Sequence, residues 1–119
     1  MRDPGVYLED MIGACEQIMM FSRGVSDEAL VAESTTTRGA VLYQSMILGE
    51  AANDVPDGWK ERYRDVDWAR IVGMRNVVAH YYFGLVDQMV IETVRTDVPA
   101  LLPRLREMLA AIDRECPRL

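Results

Sequence analysis

Apolar residues recur at three-and-four spacing along nearly the whole chain, and nowhere do they alternate one in, one out. That period fits α-helices with one buried face and gives strands nothing to bury. Leu8, Met11, Ile12, Cys15, Ile18 and Met19 predict a first helix of about four turns, stopping near Gly24, which can take a left-handed cap. Ser26 then opens "SDEALVAE", whose early acids suit the positive end of a short helix. From Thr37 to Ala52, Val41, Leu42, Ser45, Leu48, Gly49 and Ala52 share one face. Three of those six are small, so a neighbouring helix can approach closely, and this helix belongs in the bundle centre.

Pro56 ends that helix, and "PDGWKERYRD" reads as a connector with a short helical piece. Asp67 is an N-cap for the next helix, for which Gly84 supplies a stop. "DQMVIETVR" predicts another short helix. Leu101, Leu102, Leu105, Met108, Leu109 and Ile112 define a strong closing one. Pro99 suits its first turn, whereas Pro103 must delay its start or kink it. The expected fold is all-α: a single up-and-down bundle of four to five main helices with short connecting helices, spanning 1–119 as one domain.

No apolar run approaches the roughly 20 residues that span a bilayer, and the early acids of "MRDPGVYLEDM" do not fit a signal peptide. Cys15 and Cys116 stand apart without metal or redox spacing, which suits a reducing cytoplasm. The net charge of −6 argues against a protein that coats nucleic acid indiscriminately. The charge is uneven, however. Residues 1–59 hold ten acids against three bases, while residues 60–82 hold five bases against three acids. That second segment is either a local phosphate-attracting patch or a solvated face of mixed charges.

The net-positive segment contains "RNVVAHYYFG", with the protein's only histidine. On a helical wheel advancing about 100° per residue, Arg75 falls within the apolar stripe of Trp68, Ile71, Val72 and Val78. Gly73, Asn76 and His80 form a narrow polar seam beside it. An arginine in an apolar stripe needs a carboxylate, a phosphate or an interface, and Glu50 of "LGEAA" is a candidate partner. Tyr81 and Tyr82 read, on the residues alone, as core or interface aromatics with a tethered hydroxyl. One histidine, with no second ligand at metal spacing, gives no expectation of a metal, and no cofactor is expected.

The pattern R-x-x-x-x-H-x-Y, carried by Arg75, His80 and Tyr82 in "GMRNVVAHYYFG", resembles the signature of the HepT-like branch of the HEPN ribonuclease superfamily. The likeness extends to "LEDMIGACEQI", "ILGEAAND" and "RTDVPALLPRL", and so covers most of the chain. Ile91 departs from it, standing where many relatives have tryptophan. The resemblance implies a metal-independent endoribonuclease, the toxin of a toxin–antitoxin pair, acting as a homodimer with a shared cleft. It also implies an MNT-type nucleotidyltransferase antitoxin and makes Tyr82 the acceptor of transferred AMP, with Tyr81 adjacent.

The residue chemistry is compatible with that expectation. RNA brings its own nucleophile, the 2′-hydroxyl, so a protein need only move protons and stabilise a crowded phosphorane. A histidine with a pKa near about 6.5 can exchange that proton. A guanidinium can hold phosphate oxygens as charge builds. Asn76 can orient His80 or touch phosphate, while Glu50 and Tyr81 can support the site. One histidine cannot serve as both base and acid at once, and Arg75 and His80 lie about 140° apart around a helix. A two-fold dimer resolves both difficulties. The alternative is a non-catalytic helical scaffold or regulatory subunit that binds a nucleotidyltransferase, a role the acidic body suits.

Overall fold

Asp3 accepts a hydrogen bond from the Gly5 amide at 2.7 Å and so caps α1, Pro4–Ser22, in a computed structural model that describes residues 3–32, 36–80 and 85–116, without the side chains of 77–80 and 85–86. Pro4 occupies the first turn of α1, where its missing N–H costs nothing. The helix ends before Gly24, whose φ of 73° is the left-handed conformation expected of a stop. Ser26 caps α2, Asp27–Val31, by accepting from the Ala29 amide at 3.1 Å.

α3 runs Thr36–Asp54 and packs against both α1 and α5. All six residues expected on its inner face are buried, which confirms its central position. Ser45 is accommodated there because its hydroxyl donates to the Val41 carbonyl at 2.9 Å. Pro56 ends the run and leads into α4, Asp57–Arg62. The motif helix α5 spans Trp68–His80, and α6 spans Leu85–Glu92. The described residues contain helices and turns and no strand, so the fold is an all-α, HEPN-like bundle whose longest members are α1, α3, α5 and α7.

The chain's last third differs from expectation. α6 does not end before the closing helix. It continues through a π-helical turn, Thr93–Asp97, straight into α7, Val98–Glu115. The Val98 amide donates to the Thr93 carbonyl, five residues back, and so widens this turn. Pro99 follows at once and Pro103 lies inside α7. A proline removes an amide donor and crowds the carbonyl four residues earlier, and a wide turn relieves that crowding without breaking the helical path.

The buried core runs through Leu8, Met11 and Ile18 of α1, Val41 and Leu48 of α3, and Leu105, Met108 and Ile112 of α7. Ile91 packs half-buried against it, so the departure from tryptophan changes packing. Cys15 is buried and Cys116 exposed, both as free thiols. Burial pushes the Cys15 thiol up to about 12.

Candidate functional site

α5 begins because Asp67 accepts from the Arg70 amide at 3.1 Å, the cap its sequence called for. Its inner residues Ile71 and Met74 are buried, and the helix lies against α3. The approach is close because α3 presents Gly49. A β-carbon there would sit 3.0 Å from the Ile71 carbonyl oxygen and 3.3 Å from the Arg75 β-carbon. Glycine at 49 thus sets the distance between the helix that carries the motif and its support.

One residue further along α3, Glu50 meets Arg75, with Oε1 2.6 Å from Nε. Both side chains are half exposed. The helical wheel's placement of Arg75 on the face turned to α3 holds at its β-carbon, which lies against Gly49, while the guanidinium at the end of the side chain reaches out to water. Water and the Glu50 carboxylate meet its donors there. The expected Glu50 partnership is present. Asn76, the next residue, is exposed, as a seam residue should be. The backbone of His80 closes α5, while its side chain lies outside the described residues. Tyr81, Tyr82 and the expected stop at Gly84 also lie outside them.

Glu50 is shared with an open groove of about 310 Å³ between α1 and α3. Tyr7, Tyr43, Met46 and Ile47 give the groove an apolar surface, with Asp10 and Asp54 as further acids. Tyr43 is 63% exposed, although a large aromatic side chain usually finds cover. The ion pair therefore stands at the edge of accessible surface rather than in a closed cavity.

The net-positive segment is not a bare cationic patch. Arg62 pairs with both carboxylate oxygens of Glu115, at 2.8 and 2.7 Å, and Arg64 pairs with Glu61. Arg70 reaches Glu92 and Asp97, and the Asp97 charge raises its pKa above the ordinary value. Lys60 donates to the Asn53 carbonyl and lies over the Trp68 ring. The mixed-charge reading holds for these residues, and Arg75 is set apart by its position rather than by an excess of positive charge. Beside α5, a second cleft of about 370 Å³ opens toward the π turn and α7. Its floor is apolar, and the Arg70–Asp97 and Arg104–Asp65 pairs occupy its rim.

Arg38 was missed by the sequence reading. It is only 2% exposed, and its Nη2 lies 3.3 Å from Oδ1 of Asp87 in the first turn of α6. The signal was available, since Arg38, Val41, Leu42 and Ser45 follow the spacing of one buried face. Among the described residues, no three metal-ligating side chains cluster.

An all-α bundle that presents a guanidinium at the surface of a histidine-bearing helix defines the class, a small helical protein of the HEPN-like kind. The chain belongs to the HepT-like ribonuclease family, whose model, described as Ribonuclease HepT-like, matches residues 11–108, and it is accordingly an endoribonuclease. It is 33% identical to an RNase candidate of Caldanaerobacter subterraneus subsp. tengcongensis, over 92% of this chain and 96% of that one. It is 30% identical to a probable ribonuclease HepT of Thermococcus cleftensis, over 86% of this chain and 92% of that one. An RNase candidate of Methanocaldococcus jannaschii is 27% identical, over 84% of this chain and 91% of its own length. No solved structure gives a significant match.

Proposed function

We propose that this ribonuclease is the toxin of a toxin–antitoxin pair and works in the cytoplasm as a homodimer, one domain per chain. It cleaves RNA without a metal, at a groove built from two motif helices. The observation that carries the reading is the exposed Arg75 at the surface of α5, oriented by Glu50 through Nε at 2.6 Å. A guanidinium held by that nitrogen has its terminal N–H fork on the opposite edge, the geometry that suits two phosphate oxygens.

In this mechanism a His80 imidazole takes the proton from the 2′-hydroxyl as that oxygen attacks phosphorus. The P–O5′ bond breaks, and an imidazole protonates the departing 5′-oxygen. The dimer's second histidine allows base and acid to act in one passage. Arg75 neutralises the charge that builds on the non-bridging oxygens. Asn76, exposed one residue along α5, orients His80 or the phosphate, and Tyr81 supports the bound RNA.

An MNT-type nucleotidyltransferase restrains the toxin by moving AMP from ATP onto the Tyr82 hydroxyl, releasing pyrophosphate. The added bulk and negative charge beside the cleft repel RNA. Intact-mass and peptide analysis after incubation with that partner and ATP checks the acceptor, and AMP found only elsewhere refutes it. The main test is expression in a bacterium without the partner. Wild type should arrest growth and deplete RNA, whereas Arg75→Ala and His80→Ala should be harmless. Analytical ultracentrifugation should give a dimer, and a monomer that still cleaves RNA would overturn the shared groove.

The acid-lined groove at Asp10, Glu50 and Asp54 favours a second reading, a non-catalytic scaffold that binds a nucleotidyltransferase. It predicts no toxicity from wild type or from either variant.

A further inference from the structure

Arg38 is the largest fully buried side chain among the described residues, and a charged guanidinium is costly to place there. A similarly sized apolar side chain would fill the space without that desolvation penalty. What the charge adds is a directed contact. One partner, Asp87, is 43% exposed and sits in the first turn of α6.

The position of Arg38 on α3 gives this contact its meaning. Arg38 and Gly49 are eleven residues apart, which returns to nearly the same helix face after about three turns, or roughly 17 Å. At one end of that face α5 is drawn in at Gly49, with Arg75 beside it and paired to Glu50. At the other end Arg38 holds Asp87. Both ends of the stretch from Arg75 to Asp87, which includes His80, are thus fastened to the same helix.

We propose that Arg38 is a positioning residue for RNA cleavage: with Gly49 and Glu50 it makes α3 a template that fixes the two ends of the Arg75–Asp87 segment and so sets where the His80 imidazole is delivered. This rests on the ribonuclease reading for its rate effect, but the pinning itself is a physical property of the folded chain. Arg38 touches neither RNA nor a reacting atom in this account. Its effect passes through the geometry of the segment.

The test compares Arg38→Met, Arg38→Lys and Asp87→Asn with wild type. Three readouts are taken: thermal melting, hydrogen–deuterium exchange of peptides covering 75–87, and cleavage of a fluorescein-labelled, mixed-sequence single-stranded oligoribonucleotide. Arg38→Met should still give a cooperative melt, because an apolar side chain of similar size fills the buried space. It should nevertheless exchange faster across 75–87 than across α1 and α7, and lose roughly tenfold or more in kcat while KM moves less than about threefold. Asp87→Asn, altered on its more exposed side, should show the same pattern. Arg38→Lys should recover part of the rate.

If Arg38→Met fails to fold, Asp87→Asn carries the test. Unchanged exchange over 75–87 in a folded variant overturns the proposal, as does a kcat that falls only in step with melting temperature. Wild type inert toward the oligoribonucleotide would count against the ribonuclease reading instead, and the exchange data would still decide the pinning.

Discussion

α1 and α5 both lie against α3, but they use it differently. α1 buries Leu8, Met11, Ala14, Cys15 and Ile18 and is also covered by α7, so two helices close around it. α5 sinks Ile71 and Met74, leaves Arg75 and Asn76 at the surface, and reaches α3 by a backbone approach at Gly49. The first contact is built for stability and the second for presentation. The hydrophobic effect scales with apolar area removed from water, and a helix that must display polar groups forgoes much of it. Among the described residues, α5 is held by the burial of Ile71 and Met74, by the close fit at Gly49 and by the Arg75–Glu50 ion pair.

The largest effect expected from that difference is on stability. Met11→Ala or Leu105→Ala, each leaving a cavity in the α1/α7 core, should cost about 2–5 kcal/mol in denaturant unfolding. RNA cleavage per folded molecule should hardly change. Gly49→Val should cost less, about 1–3 kcal/mol, because the new side chain meets α5 and the helix must move off. Its cleavage rate should nevertheless collapse, reversing the order of the core variants. If Gly49→Val keeps full cleavage, the separation between stability and presentation breaks down.

How much of this was legible in sequence follows the same division. α1, α3 and the body of α7 repeat their apolar spacing over many turns, so most of their buried faces were readable, with Ile12, Met19 and Leu109 half-buried at the margins. Gly49 was readable as a small residue on a packed face, although not as the point of nearest approach. Arg75 was readable as a residue of the face that meets α3, but a wheel assigns angles to β-carbons and cannot say how far a long side chain carries its guanidinium back to water. The π turn left no periodic mark; Pro99 sits in the first turn of α7 as expected, whereas Pro103, read as delaying or kinking the helix, lies inside it. Arg38 escaped notice because a lone arginine near a helix start reads as solvent-facing by default, even when its register says otherwise.

Surface pairs give a smaller and pH-dependent effect. Asp65 and Glu115 hold pKa values below the usual carboxylate range, chiefly through hydrogen bonds from Arg104 and Arg62. A carboxylate depressed in the folded state adds stability above its unfolded value, and that gain is lost as pH falls through the folded value. Melting temperature should therefore decline below about pH 4. A protein with both Asp65→Asn and Glu115→Gln should start lower at neutral pH and decline less steeply. An identical acid slope would mean these pairs do not tie α4 and the connector after it to α7 in solution.

The smallest effect concerns the thiols. Cys15 is buried with its pKa raised to about 12, whereas Cys116 is exposed. At pH 8 an aromatic disulfide reagent should label Cys116 promptly and Cys15 only at the rate of unfolding. Rapid labelling of Cys15 would mean that the α1 core opens far more readily than the motif helix contrast allows.

The account turns on whether Arg75 and His80 cleave RNA. The direct measurement is cleavage of a labelled single-stranded oligoribonucleotide in EDTA by purified wild type, Arg75→Ala and His80→Ala, each confirmed folded by thermal melting. Wild type should cleave without metal, and each variant should lose roughly a hundredfold or more in rate. Variants that cleave as fast as wild type would contradict the account.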